Sequence, residues 1–412
     1  MRLFPLFALL LPALGCTGEA ASGRPDPIRD VPTLGADLET VGPPAAEIYQ
    51  GALVQRVEEG GPAALGDLKP DDLIQQVDEV SVRSRCAVER ELLLKQPGDE
   101  VRIGILRQGW SLSKTVKLEG AYEVHGKGCD AGRPASCFEL GVLYAKGTGL
   151  EAPNQDLARN LFEQACQKGS APACAEIGAL FLSGTGVPAD PPRGLDLVRK
   201  ACQDGSAAGC TSLAYAYAEG IGVPEDDGEA LRWYTEACNG GNSAGCYNMG
   251  LNYEFGRGTS PSLDRALVGY ELACNQGEEA RGCTNAGFLY DSGKLGPEDP
   301  LRARVFYRQA CEGTGCGASD PLGCFNLGVL YRDGRGGTES KTEAAGFFER
   351  ACNGGNASGC ANLADLLYAG EGVPRNVERA TLLFQKACLG GHQVACENEK
   401  ALKSQQEGRR GK

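Results

Sequence analysis

The chain has 412 residues, 42% of them hydrophobic, and carries a net charge of −13 from 54 acidic and 41 basic side chains. This balance makes nucleic acid and anionic membrane surfaces poor partners. The length leaves room for two separate buried cores.

At the start, Met1-Arg2 is a short basic segment, and Leu3 to Leu14 is hydrophobic but too short to span a bilayer. Leu14-Gly15-Cys16 fits a cleavage site, so residues 1–16 are expected to be a signal peptide. The ending resembles a bacterial lipobox, which implies lipidation of Cys16 and a place in the periplasm or outer membrane as a lipoprotein. Pro12 and Ala13 depart from that pattern, and plain secretion is the alternative. Residues 17–32 are small, polar and proline-rich, for example Gly23-Arg24-Pro25-Asp26-Pro27, and read as a disordered tether.

From residue 33 to 120 the character changes. Gly51-Ala52-Leu53-Val54-Gln55-Arg56-Val57 reads as a strand, Gly60-Gly61-Pro62-Ala63-Ala64-Leu65 as a turn, and Asp71-Asp72-Leu73-Ile74-Gln75-Gln76-Val77 as a second strand. In that order these phrases resemble the PDZ domain of high-temperature-requirement envelope proteases. The resemblance implies a small α+β domain that binds an extended peptide by strand addition and holds its terminal carboxylate on loop N–H groups. The matching loop is Thr33-Leu34-Gly35-Ala36-Asp37, so Leu34, Gly35 and Ala36 are the expected carboxylate site. The groove's helix should run from Arg85 to Leu94, with Val88 and Leu92 toward a hydrophobic ligand side chain. Asp71 and Glu79 stand where the family has turn glycines, which bears on the tightness of two turns.

Sixteen of the nineteen cysteines then form eight pairs: Cys129 and Cys137, Cys166 and Cys174, Cys202 and Cys210, Cys238 and Cys246, Cys274 and Cys283, Cys311 and Cys324, Cys352 and Cys360, and Cys388 and Cys396. Successive pairs recur at 36 or 37 residues, with one interval of 41, the signature of a solenoid of two-helix units. Each period holds an apolar helical pattern such as Phe138 to Tyr144, a glycine-rich turn at Gly147-Thr148-Gly149, and a second helix from Leu157 to Cys166. Leu140-Gly141-Val142-Leu143-Tyr144, Gly184-Thr185-Gly186-Val187-Pro188 and Ala230-Leu231-Arg232-Trp233-Tyr234 resemble the Sel-one-like repeat, a relative of the tetratricopeptide repeat. The cysteine pairs narrow the resemblance to cysteine-rich bacterial members. The expected fold is a multidomain chain: the PDZ domain, an all-α solenoid of seven repeats over residues 125–400, and a polar tail over 401–412.

One cysteine of each pair closes a helix and the other opens the next, so the short loop should bring their Cα atoms within the roughly 4.4–6.8 Å of a disulfide. Pairing within a unit, Cys137 with Cys166, is conceivable but strands Cys129 and Cys396. Zinc fits poorly, because the spacing is wrong and only His125 and His392 exist. Cys86 has no evident partner, and Cys316 could compete within the longest linker.

No catalytic residue, cofactor site or metal site is assigned. Ser111-Leu112-Ser113-Lys114 fits the Ser-x-x-Lys of penicillin-recognising enzymes but falls in an expected hairpin, without companion elements. The leading expectation is a non-enzymatic envelope adaptor for protein or peptide partners. The alternative is a β-lactam-binding or β-lactam-hydrolysing protein, which the family resemblance implies. Similarity to tetratricopeptide repeats implies a concave face lined by the first helix of each unit. Phe138, Val142, Thr211, Tyr215, Tyr247, Leu251, Thr284, Phe288, Phe325 and Val329 are expected there, one and five residues after the opening cysteines. Asn248, Asn285, Asn326 and Asn362 sit two after them and offer donors and acceptors to an extended backbone. The competing reading is that these asparagines serve neighbouring helices and the aromatics complete the core.

Overall fold

The computed structural model describes residues 32–34, 36–40, 52–57, 62–82, 88, 91–92, 94–148, 150, 152–276, 279–313 and 319–410. The expected signal peptide, Cys16, nearly all of the tether, Gly35, Arg85, Cys86 and Cys316 lie outside these residues. The chain divides into two compact units: the first runs to Asn252 and includes Arg257–Thr259, and the second comprises Tyr253–Gly256 and Ser260 onward.

The first unit opens with the β-rich module. Strands β1 (Pro32–Thr33), β2 (Ala36–Thr40), β3 (Ala52–Val57), β4 (Leu73–Val77), β5 (Val80–Ser81), β6 (Glu100–Arg107), β7 (Trp110–Lys117) and β8 (Glu119–Gly120) surround a short helix α1 (Pro62–Leu65). The main sheet has the order β2-β3-β4-β6-β7 with β5 on β4, and β1 pairs antiparallel with β8. Alternation decides which face is buried: Val101, Ile103 and Ile105 of β6 point inward while Glu100 and Arg102 stay exposed. The β6–β7 hairpin turns on Gln108 and Gly109, both left-handed, as a two-residue turn demands.

Asp71 stands where glycine was expected and takes the left-handed conformation itself, with φ 70°. At the second turn Asp78, not Glu79, does so, with φ 52°. Both turns are therefore made without glycine, aspartate being one of the few residues that tolerates this region. The buried Asp72 carboxylate accepts a two-pronged bond from Arg107, Nε to Oδ1 at 2.6 Å and a terminal nitrogen to Oδ2 at 2.7 Å, and also accepts the Lys69 N–H at 2.8 Å. This fixes the turn before β4 to the end of β6.

Immediately after β8 the chain becomes helical. The first unit holds α2 (Ala121–Asp130), α3 (Pro134–Lys146), α4 (Gln155–Gln167), α5 (Ala171–Ser183), α6 (Pro191–Gln203), α7 (Ala207–Glu219), α8 (Asp227–Asn239) and the start of α9 (Ser243–Phe255). The second holds α10 (Leu263–Asn275), α11 (Ala280–Asp291), α12 (Pro300–Glu312), α13 (Pro321–Arg332), α14 (Lys341–Asn353), α15 (Ala357–Ala369), α16 (Val377–Leu389) and α17 (Gln393–Arg410). The helical array thus begins at Ala121 rather than 125. The expected polar tail continues α17 to Arg410, with Leu402 buried in the last core.

Boundaries follow local chemistry. Asn154, Ser170, Asp190 and Ser206 cap helix starts through their side-chain oxygens, and Gly147, Gly184 and Gly220 end helices in the left-handed conformation. In several repeats the two helices pack closely because the first carries glycine opposite an aromatic ring of the second. A Cβ on Gly141 would lie 2.6 Å from Phe162, and one on Gly328 would lie 2.7 Å from Phe348.

All eight cysteine pairs are joined across the short loops. Cys129 bonds to Cys137, Cys166 to Cys174, Cys202 to Cys210 and Cys238 to Cys246. Farther along, Cys274 bonds to Cys283, Cys311 to Cys324, Cys352 to Cys360 and Cys388 to Cys396. Their Cα–Cα distances run from 4.4 to 4.7 Å, the short end of the range a disulfide allows. Every bridge links the end of one helix to the start of the next, so the within-unit alternative of Cys137 with Cys166 is not the one the fold adopts. The opening cysteines Cys174, Cys210, Cys246, Cys283 and Cys360 are all buried, each where a first helix meets the helix before it. Their role is therefore structural, and they contribute no open surface to a partner.

Candidate peptide-binding surfaces

In the β-rich module, β2 forms one edge of the sheet and pairs on its inner side with β3. Leu34 precedes it, and its carbonyl accepts the Ala63 N–H at 2.7 Å, which anchors the loop to α1. Its side chain is only 2% exposed and shares one core with Val88 and Leu92, both helical residues. The three residues thus meet in one core. Leu34 acts as a core residue there, so only backbone groups of this loop are available to a carboxylate. Elsewhere on the module, a hydrogen bond from Lys114 holds the Asp67 carboxyl below its usual range, and one from Lys95 does the same for Asp78.

Ser111 and Ser113 lie on the exposed strand β7 opposite Leu106 and Gly104, and Lys114 donates to Asp67 at 2.5 Å. A strand geometry with the lysine in an ion pair does not build the helix-borne nucleophile of a penicillin-recognising site.

On the repeats' first helices, the positions two and five after the opening cysteine differ in exposure from repeat to repeat, Ser212 and Ala179 being buried. Phe288 is 44% exposed there, whereas Tyr215 and the four asparagines are half-buried. The positions one after the cysteine behave differently. Thr211 donates to Asn242 at 2.9 Å and Thr284 to Asp320 at 2.6 Å, in each case the residue just before the next unit's first helix. Phe138 and Phe325 pack against Phe162 and Phe348. These side chains join units and complete cores. Tyr247, at the same position, is half-buried on α9.

The asparagines are partly spent on their own helices. Asn248 donates to the Ala244 carbonyl and Asn362 to that of Ser358, each at 2.9 Å, and Asn362 also accepts from Arg332 at 2.7 Å. Asn326 hydrogen-bonds to the Tyr307 phenol. Asn285, beside Phe288, is the member of the row with the most hydrogen-bonding capacity left. In the second repeat the equivalent place on α5 holds Glu176, whose carboxyl burial pushes up to about 8 against a smaller opposing effect of Lys146. Burial likewise raises the Asp365 carboxyl on α15.

A recurring cation–aromatic contact escapes inspection of the sequence alone. Arg193 lies over Phe181 at 4.1 Å, Arg265 over Tyr253 at 5.5 Å and Arg302 over Tyr290 at 5.4 Å. The signal was present: an arginine three residues after the helix cap, paired with an aromatic seven after a cysteine. Among the described residues no group of histidine, cysteine or acidic side chains could hold a metal ion, and no helix is long and apolar enough to cross a membrane.

A small β-rich module followed by stapled helix pairs defines a chain assembled from protein-interaction modules. It belongs to the Sel1 repeat family, which matches residues 134–170, 171–206, 207–242, 243–278, 280–314, 321–356 and 357–392, while the PDZ domain matches residues 32–118. A probable periplasmic serine endoprotease DegP-like protein of Halomonas elongata is 33% identical over 90 residues, which cover 21% of this chain and 19% of that protein. The chain therefore spans about a fifth of that relative's length. Among solved structures, a protective antigen of uropathogenic Escherichia coli strains displaying an SLR fold is 26% identical, with TM-score 0.54, over 69% of this chain and 59% of its own. A Sel1 repeat protein from Oxalobacter formigenes is also 26% identical, with TM-score 0.51, over 68% and 79% respectively.

Proposed function

We propose that this protein is an exported adaptor that takes the free C-terminus of a partner in its PDZ groove and further protein surface on its repeats. The observation that carries this reading is the edge position of β2, whose outer side pairs with no strand among the described residues, entered by a loop whose backbone is fixed through Leu34, which shares a core with the helical Val88 and Leu92. An extended peptide added to that edge would continue the sheet, and its carboxylate would meet the loop N–H groups of residues 34–36. On the repeats, the face around Asn285 and Phe288 offers an amide and an exposed ring to a partner, and Tyr215, Asn248 and Asn326 hold the equivalent places in their own repeats.

Export is supported by the eight disulfides, which persist in oxidising compartments, and by the word periplasmic in the DegP-like relative's name. Cleavage before Cys16 and its lipidation complete the proposal. The test is calorimetric titration of the full chain with peptides ending in an apolar residue, each with a free or an amidated terminus. Selective binding of the free form supports the reading, and equal affinities overturn the carboxylate loop.

A further inference from the structure

The second helices of the repeats carry a pair of residues seven and six positions before their closing cysteine. In six of them it is Arg159-Asn160, Leu195-Asp196, Leu231-Arg232, Leu267-Val268, Arg304-Val305 or Thr381-Leu382, and in α14 it is Ala345-Gly346. Every other member carries bulk at one or both places. Arg304 uses it to reach the turn of the next unit, donating to the Leu330 and Thr338 carbonyls at 2.9 and 3.3 Å. Arg159 reaches the Gly186 carbonyl at 3.0 Å. The α14 pair has neither reach nor bulk, and a Cβ built on Gly346 would meet nothing within 4 Å.

The consequence is a cavity of about 430 Å³ between α14, α15, α16 and the loop before α16. Its floor is apolar, with Leu363 and Leu367 of α15 and Val373 of the loop. Its rim carries Arg375 and Arg379 against one carboxylate, Glu349, which is already ion-paired with Arg379. Arg375 donates to the Tyr368 carbonyl at 3.0 Å and lies over that residue's ring, which holds its guanidinium at the edge. An apolar floor under a surplus positive rim, on a chain of net charge −13, selects an apolar group accompanied by negative charge. The volume suits a ring, and guanidinium planes favour aromatic faces over aliphatic chains.

We propose that this cavity is a docking pocket for an aromatic side chain flanked by carboxylates in a partner segment, separate from both the PDZ groove and the asparagine row. The probe is N-acetyl-Asp-Phe-Asp-amide, added to the full chain while the methyl resonances of Leu363, Leu367 and Val373 are followed. Saturable shifts are expected at roughly millimolar concentration, with N-acetyl-Asn-Phe-Asn-amide about fivefold weaker. Gly346→Val restores the bulk other repeats carry; it should abolish the shifts with the melting temperature unchanged or raised, since a helical glycine is lost. Arg375→Gln, which leaves the cavity open, should reduce the acidic peptide to the level of the neutral one. Absence of saturation, equal affinity for the two peptides, or shifts that survive Gly346→Val would each overturn the proposal.

Discussion

The PDZ module and the repeats are held together in opposite ways. The module gathers residues from Leu34 to Leu118 into one core and adds a buried carboxylate–guanidinium fork between Asp72 and Arg107, so its stability rests on contacts distant in sequence. The repeats divide their apolar residues among a series of separate clusters, from three buried residues around Cys274 and Cys283 to a larger group at the end of the chain, and each turn between repeats is closed by a cross-link spanning 8, 9 or 13 residues. Chains that bury little per unit depend on local constraints, and their stability is a sum over neighbours rather than a single cooperative quantity.

Reduction should break this comparison most sharply. In the chain-entropy account each short-loop bridge contributes about 2–3 kcal/mol, so removing all eight should melt the repeats while the module survives. Hydrogen exchange with and without a phosphine reductant checks this: helical amides from α3 onward should lose protection while those of β6 and β7 keep it. The module's own weak point is the fork. Asp72→Ala removes the buried carboxylate and leaves the Arg107 guanidinium only its contacts to Asp67, which should cost the module about 2–3 kcal/mol in denaturant unfolding, leaving the repeats' transition in place.

A smaller effect concerns pH. The folded chain keeps a proton on Glu176 that the unfolded chain releases above about 4.5, so this group's contribution to stability is full below that pH and is lost as pH rises toward about 8. Glu176→Gln should therefore be more stable than the parent at pH 8 by roughly 1–3 kcal/mol, with the gap shrinking toward pH 5, measured by thermal melts at both values. The smallest effect is at the turn. Asp71→Gly relieves a left-handed aspartate and should stabilise the module by up to about 1 kcal/mol in the same unfolding assay.

Cysteine spacing and apolar periodicity made the repeats and their staples legible, because both are local properties that recur with a fixed period. The PDZ phrases were legible for the same reason: strand alternation and turn residues sit close together. What was hidden depends on direction. Nothing in the sequence tells that Asn248 and Asn362 turn an N–H back onto their own helices, nor that Thr284 faces the next unit's Asp320 rather than a groove. Leu34 shows the same limit, since a loop residue and a core residue have identical sequence signatures until the fold places them. The end of α17 was missed because polar residues extend a helix whenever one apolar residue, here Leu402, still finds a core.

The short reach of the bridges also bears on how the chain acquires them. Each joins a cysteine to the next one along among the sixteen, so oxidation in order of emergence, as the chain is threaded into an oxidising space, yields the native set without reshuffling. With Cys16 set aside as the proposed lipidation site, two places disturb that order: Cys86, ahead of the first pair, and Cys316, between Cys311 and its partner Cys324. At those points a thiol-disulfide isomerase would have the most to correct.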